Sequence, residues 1–251
     1  MLNQIQTKLT ELSEERGINI LYACESGSRA WGFPSPDSDY DVRFIYIHPK
    51  DWYLSIEKPT DNINLFFSKE LDFNGWDIRK ALGLLRKSNA TPFEWLQSPI
   101  VYRESPEFAD KFRSLFEEYF APKALTHHYL GICTSSLKSV SDSGIIKLKK
   151  YFYVLRPLLA AKWIVDGKGV PPMEFGKLMA GLDDQPALKQ IINELLEIKK
   201  EADEDKTIHL IPELQTFIEK EWNRCEQLAS TLPKKKSDPD SLNQFFRKLL
   251  S

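Results

Sequence analysis

Between Glu25 and Ile45 the chain reads ESGSRAWGFPSPDSDYDVRFI, and two pairs of residues in this stretch could do chemistry. The first pair, Gly27-Ser28, follows an apolar run and reads as the opening of a short helix. Glycine lets a ligand approach the backbone closely, N–H groups at a helix start attract phosphate, and the serine hydroxyl adds a donor. The second pair, Asp39 and Asp41, stands at the head of the next apolar run. Side chains at i and i+2 of a strand share a face, so both carboxylates point the same way, about 7 Å apart along the strand. That arrangement suits Mg²⁺, a hard ion that takes a few carboxylates together with substrate phosphates. Two such ions suit an in-line displacement at phosphorus with pyrophosphate leaving. A third carboxylate from a neighbouring strand is needed to fix the first ion. Asp72, in the next strand-like segment, is the first candidate. Asp77 is the second, although the first turn of a helix, where it is expected, also gives it a role toward the helix dipole.

Other chemistries fail on spacing. GSRAWG lacks the GK[ST] of a Walker loop and the spacing of GxGxxG. Asp37, Asp39 and Asp41 imitate half of a calcium loop, but Val42 stands where that loop needs Gly and His48 where it needs Glu. Cys24, Cys133 and Cys225 lie far apart with no CxxC pair, which disfavours a disulfide scaffold or a zinc ribbon. Glu25, Arg29 and Arg43 suit either supporting ion pairs or ligand contact, and Trp31 and Phe33 read as packing residues. From Lys123 to Lys162 there are seven Lys/Arg and one acidic residue. Within it Lys149, Tyr153 and Arg156 fall near one helical face, with Lys150 beside them. That cluster suits either phosphate pairing or the solvated flank of a buried helix. His127-His128 reads as surface or packing, and Lys234 to Lys236 as the charge of a linker.

The elements that must position these residues follow from periodicity. Leu2, Ile5, Leu9 and Leu12 mark a first helix ending near Gly17. Strands are expected over 18–24, 42–47 and 63–67, with a short fourth near 71–73. From Gly75 the pattern turns helical through Trp76, Ile78, Leu82 and Leu85, is interrupted at 89–92, and resumes near Phe93. Beyond residue 105 every periodic segment reads as helix: a stripe from Phe108 to Tyr119, then 125–140, 145–165 with Pro157 inside it, 186–202, 212–232 and a last short helix. The expected fold is α+β: a small mixed sheet with flanking helices in residues 1–105, then an all-α domain in 106–251. The 251 residues suffice for two cores, and 42% hydrophobic with 28% charged is a globular composition. A net charge of −2 argues against a globally basic nucleic-acid coat but leaves room for a local basic patch. The amphipathic N-terminus lacks the apolar run of a signal peptide, and no stretch reaches the ~20 apolar residues of a membrane span. A soluble cytoplasmic protein is expected; the oligomeric state is not legible.

The order of strand, Gly27-Ser28, short helix, loop, Asp39/Asp41 and strand resembles the polymerase-beta-type nucleotidyltransferase superfamily. ESGSRAWGF and SDYDVRFIY, with GWDIRKALGLLRKSNATPFEWL and KKYFYVLRPLLAAKWI, are similar to a narrower group, the nucleotidyltransferases of bacteria and phages, some of them associated with RNA ligases. That likeness runs from about residue 18 to residue 166. It implies a mixed sheet followed by a helical domain, Gly27 and Ser28 (with Arg29) holding a nucleoside triphosphate, and Asp39 and Asp41 binding two Mg²⁺ ions. The third carboxylate does not carry over cleanly, because Asp72 and Asp77 compete. Lys149, Lys150 or Arg156 would close over the phosphates. The implied reaction moves a nucleoside monophosphate to an acceptor hydroxyl, with an RNA end favoured over a protein or a small molecule. A non-catalytic nucleotide- or RNA-binding regulator, and a protein that modifies or neutralises another protein, are the alternatives.

Overall fold

The computed structural model describes residues 1–57, 59–137, 144–235 and 237–251. The chain opens with α1 (Leu2–Arg16), whose Ile5, Leu9 and Leu12 are buried on one face. Next come β1 (Asn19–Glu25), α2 (Gly27–Trp31), β2 (Tyr40–Ile47), α3 (Lys50–Tyr53), β3 (Asn62–Ser68) and β4 (Leu71–Asp77). After β4 follow α4 (Ile78–Arg86), α5 (Ala90–Trp95), β5 (Val101–Glu104), α6 (Pro106–Ser114) and α7 (Phe116–Tyr119). The five strands form one sheet in the order β3-β4-β2-β1-β5. Only β2 and β4 run parallel; the other pairs are antiparallel, so the sheet is mixed. β1 is buried at every position after Asn19, as a central strand covered on both faces must be. The α1 stripe packs on Ile20, Ala23, Val42, Phe44, Tyr46 and Phe73 to form the core over one face of the sheet.

Two expectations for this region need correction. β4 runs through Gly75 and Trp76 to Asp77, where a helix was expected from Gly75. Alternating burial at every second position of β4 shows the period of a strand. Gly75 is there because Phe44 of the adjacent strand lies across it: a Cβ would come within 2.1 Å of that ring. The strand Val101–Glu104 was also not expected. Its four residues are too few to display a period, and it exists because β1 offers an unpaired edge.

The second half continues with α8 (Pro122–Leu137), β6 (Ile145–Lys147), α9 (Leu148–Val165), α10 (Phe175–Leu178), a 3₁₀ turn (Met179–Leu182), α11 (Pro186–Glu201), β7 (Thr207–His209), α12 (Pro212–Thr231) and α13 (Asp240–Leu249). α9 is buried nearly all round, the mark of a central helix, and α8 and α12 pack against it. This half is not wholly helical. Ile145–Lys147, expected as the start of a helix, pairs instead with Thr207–His209 in an antiparallel ribbon. The expected end of the preceding helix at Val140 lies outside the described residues.

The chain divides into two compact units, one holding Met1–Ala30, Asp39–Tyr119 and Lys236–Ser251, the other Trp31–Ser38 and Phe120–Lys235. This differs from a division at residue 105. Helix α6 stays with the sheet: the Ser105 N–H donates to the Leu21 carbonyl at 2.9 Å, and Phe108 and Phe112 are buried. Helix α13 joins the same unit, with Phe245 stacked on Phe108 at 5.7 Å. In the helical unit, Phe33 packs on Phe152 at 5.0 Å and Phe175 at 5.4 Å. The buried Lys199 donates to Ser35 Oγ at 2.7 Å, and the Glu204 N–H donates to the Asp37 carboxylate at 3.1 Å.

Candidate active site

The turn after β1 is built around a carboxylate. The Ser26 N–H donates to the Asp41 carbonyl at 2.9 Å, and the chain then enters α2 at Gly27 with φ +62. A Cβ on Gly27 would lie 2.1 Å from Asp41 Oδ2. The position therefore needs glycine twice over, for its left-handed backbone and for the carboxylate that occupies the space of a side chain. Asp41 thus stands against the Gly27-Ser28 backbone, and Ser28 is itself buried.

Register separates the two candidates for a third carboxylate. In the parallel pair β2–β4, Asp41 is opposite Asp72, whereas Asp77 is opposite Tyr46. Five residues of strand, about 17 Å, separate Asp77 from Asp72, and the odd count turns it to the other face. Asp77 is fully buried and caps α4, accepting from the Arg79 N–H at 2.8 Å and from the Tyr53 hydroxyl at 2.7 Å. Of the two candidates, Asp72 adjoins Asp41 and Asp77 occupies a helix cap.

Arg43, two residues beyond Asp41 on the same face, bridges the carboxylates: Nη2 lies 2.6 Å from Asp41 Oδ1 and Nη1 2.8 Å from Asp72 Oδ2. Carboxylates on adjacent strands, roughly 5 Å apart, repel by about 3 kcal/mol at an effective dielectric near 20, so a cation between them relieves a real cost. Burial pushes the Asp41 carboxyl above its ordinary range; Arg43 opposes that, and Asp72 and Asp39 add to it. Asp39 is exposed at the mouth of β2. Its carbonyl accepts from Arg29 Nε at 3.1 Å, and the Arg29 guanidinium lies 3.9 Å from the Tyr40 ring.

Behind this layer, Glu25 is fully buried. Its carboxylate accepts from the Asp41 N–H at 2.7 Å and from the Tyr102 hydroxyl. Burial raises its pKa, and these two bonds partly offset the rise. Ser98 Oγ donates to the Glu25 carbonyl at 2.7 Å. Glu25 therefore fixes the backbone that carries Asp41. Tyr102 and Ser98 are supporting residues that sequence reasoning missed. No local signal marked them: β5 is too short to display a period, and nothing nearby in sequence links Tyr102 to a residue 77 positions away.

The remaining candidates belong to the helical unit. Lys149 pairs with Glu204 at 2.7 Å. Lys150 is half-buried. Arg156 is buried, donating through Nε and Nη2 to the Met173 carbonyl, with its guanidinium 4.5 Å from the Trp31 ring.

The family model for the RNA repair pathway DNA polymerase beta family (RlaP) matches residues 1–248. The chain belongs to this family. It is 44% identical over 241 residues, 96% of its length and 93% of the relative's, to the uncharacterized protein YcgL of Bacillus subtilis (strain 168). A nucleotidyltransferase-like protein of Exiguobacterium sibiricum 255-15 aligns with 98% of this chain and 79% of its own, at 10% identity and a TM-score of 0.35, too low for any inference. Membership of this polymerase beta-like nucleotidyltransferase family agrees with the resemblance carried by Gly27-Ser28 and Asp39/Asp41, and the mixed α+β sheet agrees with the expected fold class.

A divalent ion is what such a family implies, and the carboxylate donors here fit one in kind. Asp41 and Asp72 share a face, Gly27 makes room for Asp41, and the Arg43 guanidinium lies between the two. Among the described residues no group of three or more His, Cys, Asp or Glu side chains converges closely enough to hold an ion as they stand. Arg43 occupies the space between Asp41 and Asp72. Among the described residues no helix is long and apolar enough to cross a membrane.

Proposed function

We propose that this RlaP-family protein is a Mg²⁺-dependent nucleotidyltransferase that moves a nucleoside monophosphate from a nucleoside triphosphate to an acceptor hydroxyl. The observation that carries this reading is the Asp41 carboxylate seated against Gly27 and in register with Asp72. Asp39, Asp41 and Asp72 would hold Mg²⁺, with two ions expected, and Gly27, Ser28 and Arg29 would face the triphosphate. When bound, Mg²⁺ neutralises the triphosphate and makes the acceptor hydroxyl easier to ionise. The acceptor oxygen attacks the α-phosphorus, the bond from that phosphorus to the oxygen bridging the β-phosphate breaks, and pyrophosphate leaves with the bonding pair. The acceptor proton passes to the Asp72 carboxylate. Backbone N–H groups at 27–28 and the Ser28 hydroxyl orient the phosphates; α2, at five residues, is too short for its dipole to matter. Most of the acceleration would come from positioning and charge rather than from a protein nucleophile. The family's description as part of an RNA repair pathway supports an RNA end as the acceptor. Where in the cell the protein works is proposed, on composition alone, to be the cytoplasm.

The test offers each α-labelled nucleoside triphosphate with Mg²⁺ to RNA, protein and metabolite pools. Label should move to RNA, and Asp39→Asn/Asp41→Asn should abolish the transfer. Retention of all label as triphosphate would favour the second reading, a non-catalytic nucleotide- or RNA-binding regulator. The bridging of Asp41 and Asp72 by Arg43 is the observation on that side.

A further inference from the structure

We propose that Phe66 is the platform on which the terminal base of the acceptor RNA stacks, which sets that end's hydroxyl at Asp72. The inference rests on the reading of Asp72 as the carboxylate that takes the acceptor proton, and it adds the group that recognises the acceptor.

Strand register lays out two rows across one face of the sheet. Asp41 on β2 is opposite Asp72 on β4, which is opposite Phe66 on β3. Two residues along, Arg43 is opposite Asn74, which is opposite Asn64. The Asn74 amide donates to Asn64 Oδ1, so the second row shares one face. The other face packs on α1: Leu65 and Phe73, which neighbour Phe66 and Asp72 in the chain, turn into that core. Phe66 is 81% exposed. An exposed apolar side chain by itself says little; the place of this one in the row gives it meaning. Side chains directly opposite on neighbouring strands stand about 5 Å apart, and a ribose hydroxyl is separated from the centre of its own base by a comparable distance. An acceptor with its hydroxyl at Asp72 therefore lays its base over the Phe66 ring. Every base has a π face, so a phenyl ring takes RNA ends of any sequence. The amides of Asn64 and Asn74, in the next row, offer hydrogen bonds to the ribose or the base edge. β3 is an edge strand, so RNA reaches Phe66 without crossing another strand. All six residues of the two rows belong to the sheet unit.

The test measures binding of a fluorescein-labelled single-stranded RNA to the full chain by anisotropy, at fixed salt with Mg²⁺, beside label transfer from an α-labelled nucleoside triphosphate. It compares wild type, Phe66→Ala, Phe66→Trp and Leu54→Ala; Leu54 is an exposed apolar side chain at the end of α3, outside both rows. Phe66→Ala should weaken RNA binding and raise KM for RNA, each about tenfold, with KM for the triphosphate unchanged. Phe66→Trp should restore wild-type binding, and Leu54→Ala should not alter it. An RNA whose 3′-terminal nucleotide lacks its base should bind wild type about tenfold more weakly and lose nothing further in Phe66→Ala. Equal affinity for intact RNA in wild type and Phe66→Ala, with label still transferred, would overturn the platform and leave the proposed reaction standing. Binding that depends on Phe66 and on the terminal base, with no label moved, would support the platform and count against the reaction. No RNA binding by wild type would overturn the platform. So would a wild-type dimer that Phe66→Ala converts to monomer with RNA binding unchanged, since Phe66 would then serve pairing between the β3 edges of two copies.

Discussion

Gly27 shows how much a single backbone position decides at the residue scale. Alanine there meets Asp41 Oδ2 at 2.1 Å and must hold φ +62, so Gly27→Ala should cost about 1–3 kcal/mol in urea unfolding. It should also weaken nucleotide binding more than that loss of stability explains, because the carboxylate is what moves; unchanged nucleotide affinity would count against the seat described for Asp41. Glu25 gives a pH signature. Burial raises its pKa above 4.5, so the folded chain holds that proton more firmly than the unfolded one. Stability from this group is fully present below 4.5, falls as pH rises through the folded value, and is constant above it. Glu25→Gln removes that slope. The urea midpoint of the variant relative to wild type should climb across this window and level off, and a difference that is flat with pH would refute the assignment. Gly27-Ser28, Asp39 and Asp41 were legible as a local pattern. Asp72 was legible only as one of two candidates, because the choice depends on which residue of β4 lies opposite Asp41.

Strand β4 carries the lesson at the scale of elements. Trp76, Ile78, Leu82 and Leu85 have helical spacing, so a helix was expected from Gly75, yet only the part after Asp77 is helical. Pairing with β2 and β3 on both sides outweighed a local preference that glycine barely expresses. The strand tolerates Gly75 because the Phe44 ring covers it. Gly75→Ala should therefore destabilise by about 1–3 kcal/mol through overpacking, and Phe44→Leu in the same chain should recover part of the loss. Additive losses in a double-mutant cycle would mean that the two residues do not press on each other. The ribbon β6–β7 and the strand β5 escaped notice for a related reason. Segments of three or four residues carry no period, and a ladder's existence depends on a partner dozens of residues away.

For the whole molecule, the two units are each assembled from segments distant in sequence. Helix α13 returns to the sheet unit, burying Leu242 and Phe245. Phe245→Ala should cost about 3–5 kcal/mol and speed amide exchange in β1 and α6 ahead of α9; equal acceleration in α9 would contradict the division into units. Trp31–Ser38 makes the opposite exchange, since the loop between the Gly-Ser turn and the aspartates belongs to the helical unit. Composition and periodicity alone were enough for a mixed α+β half followed by a mostly helical half, and for a turn and two aspartates suited to phosphate chemistry, because these features reside in runs of neighbouring residues. Tertiary structure decided that Asp72 and not Asp77 adjoins Asp41, that Arg43 lies between them, that Glu25 and Tyr102 support them, and where the units divide. Each of these depends on strand register or on burial between residues far apart in the chain, and neither leaves a trace in local spacing.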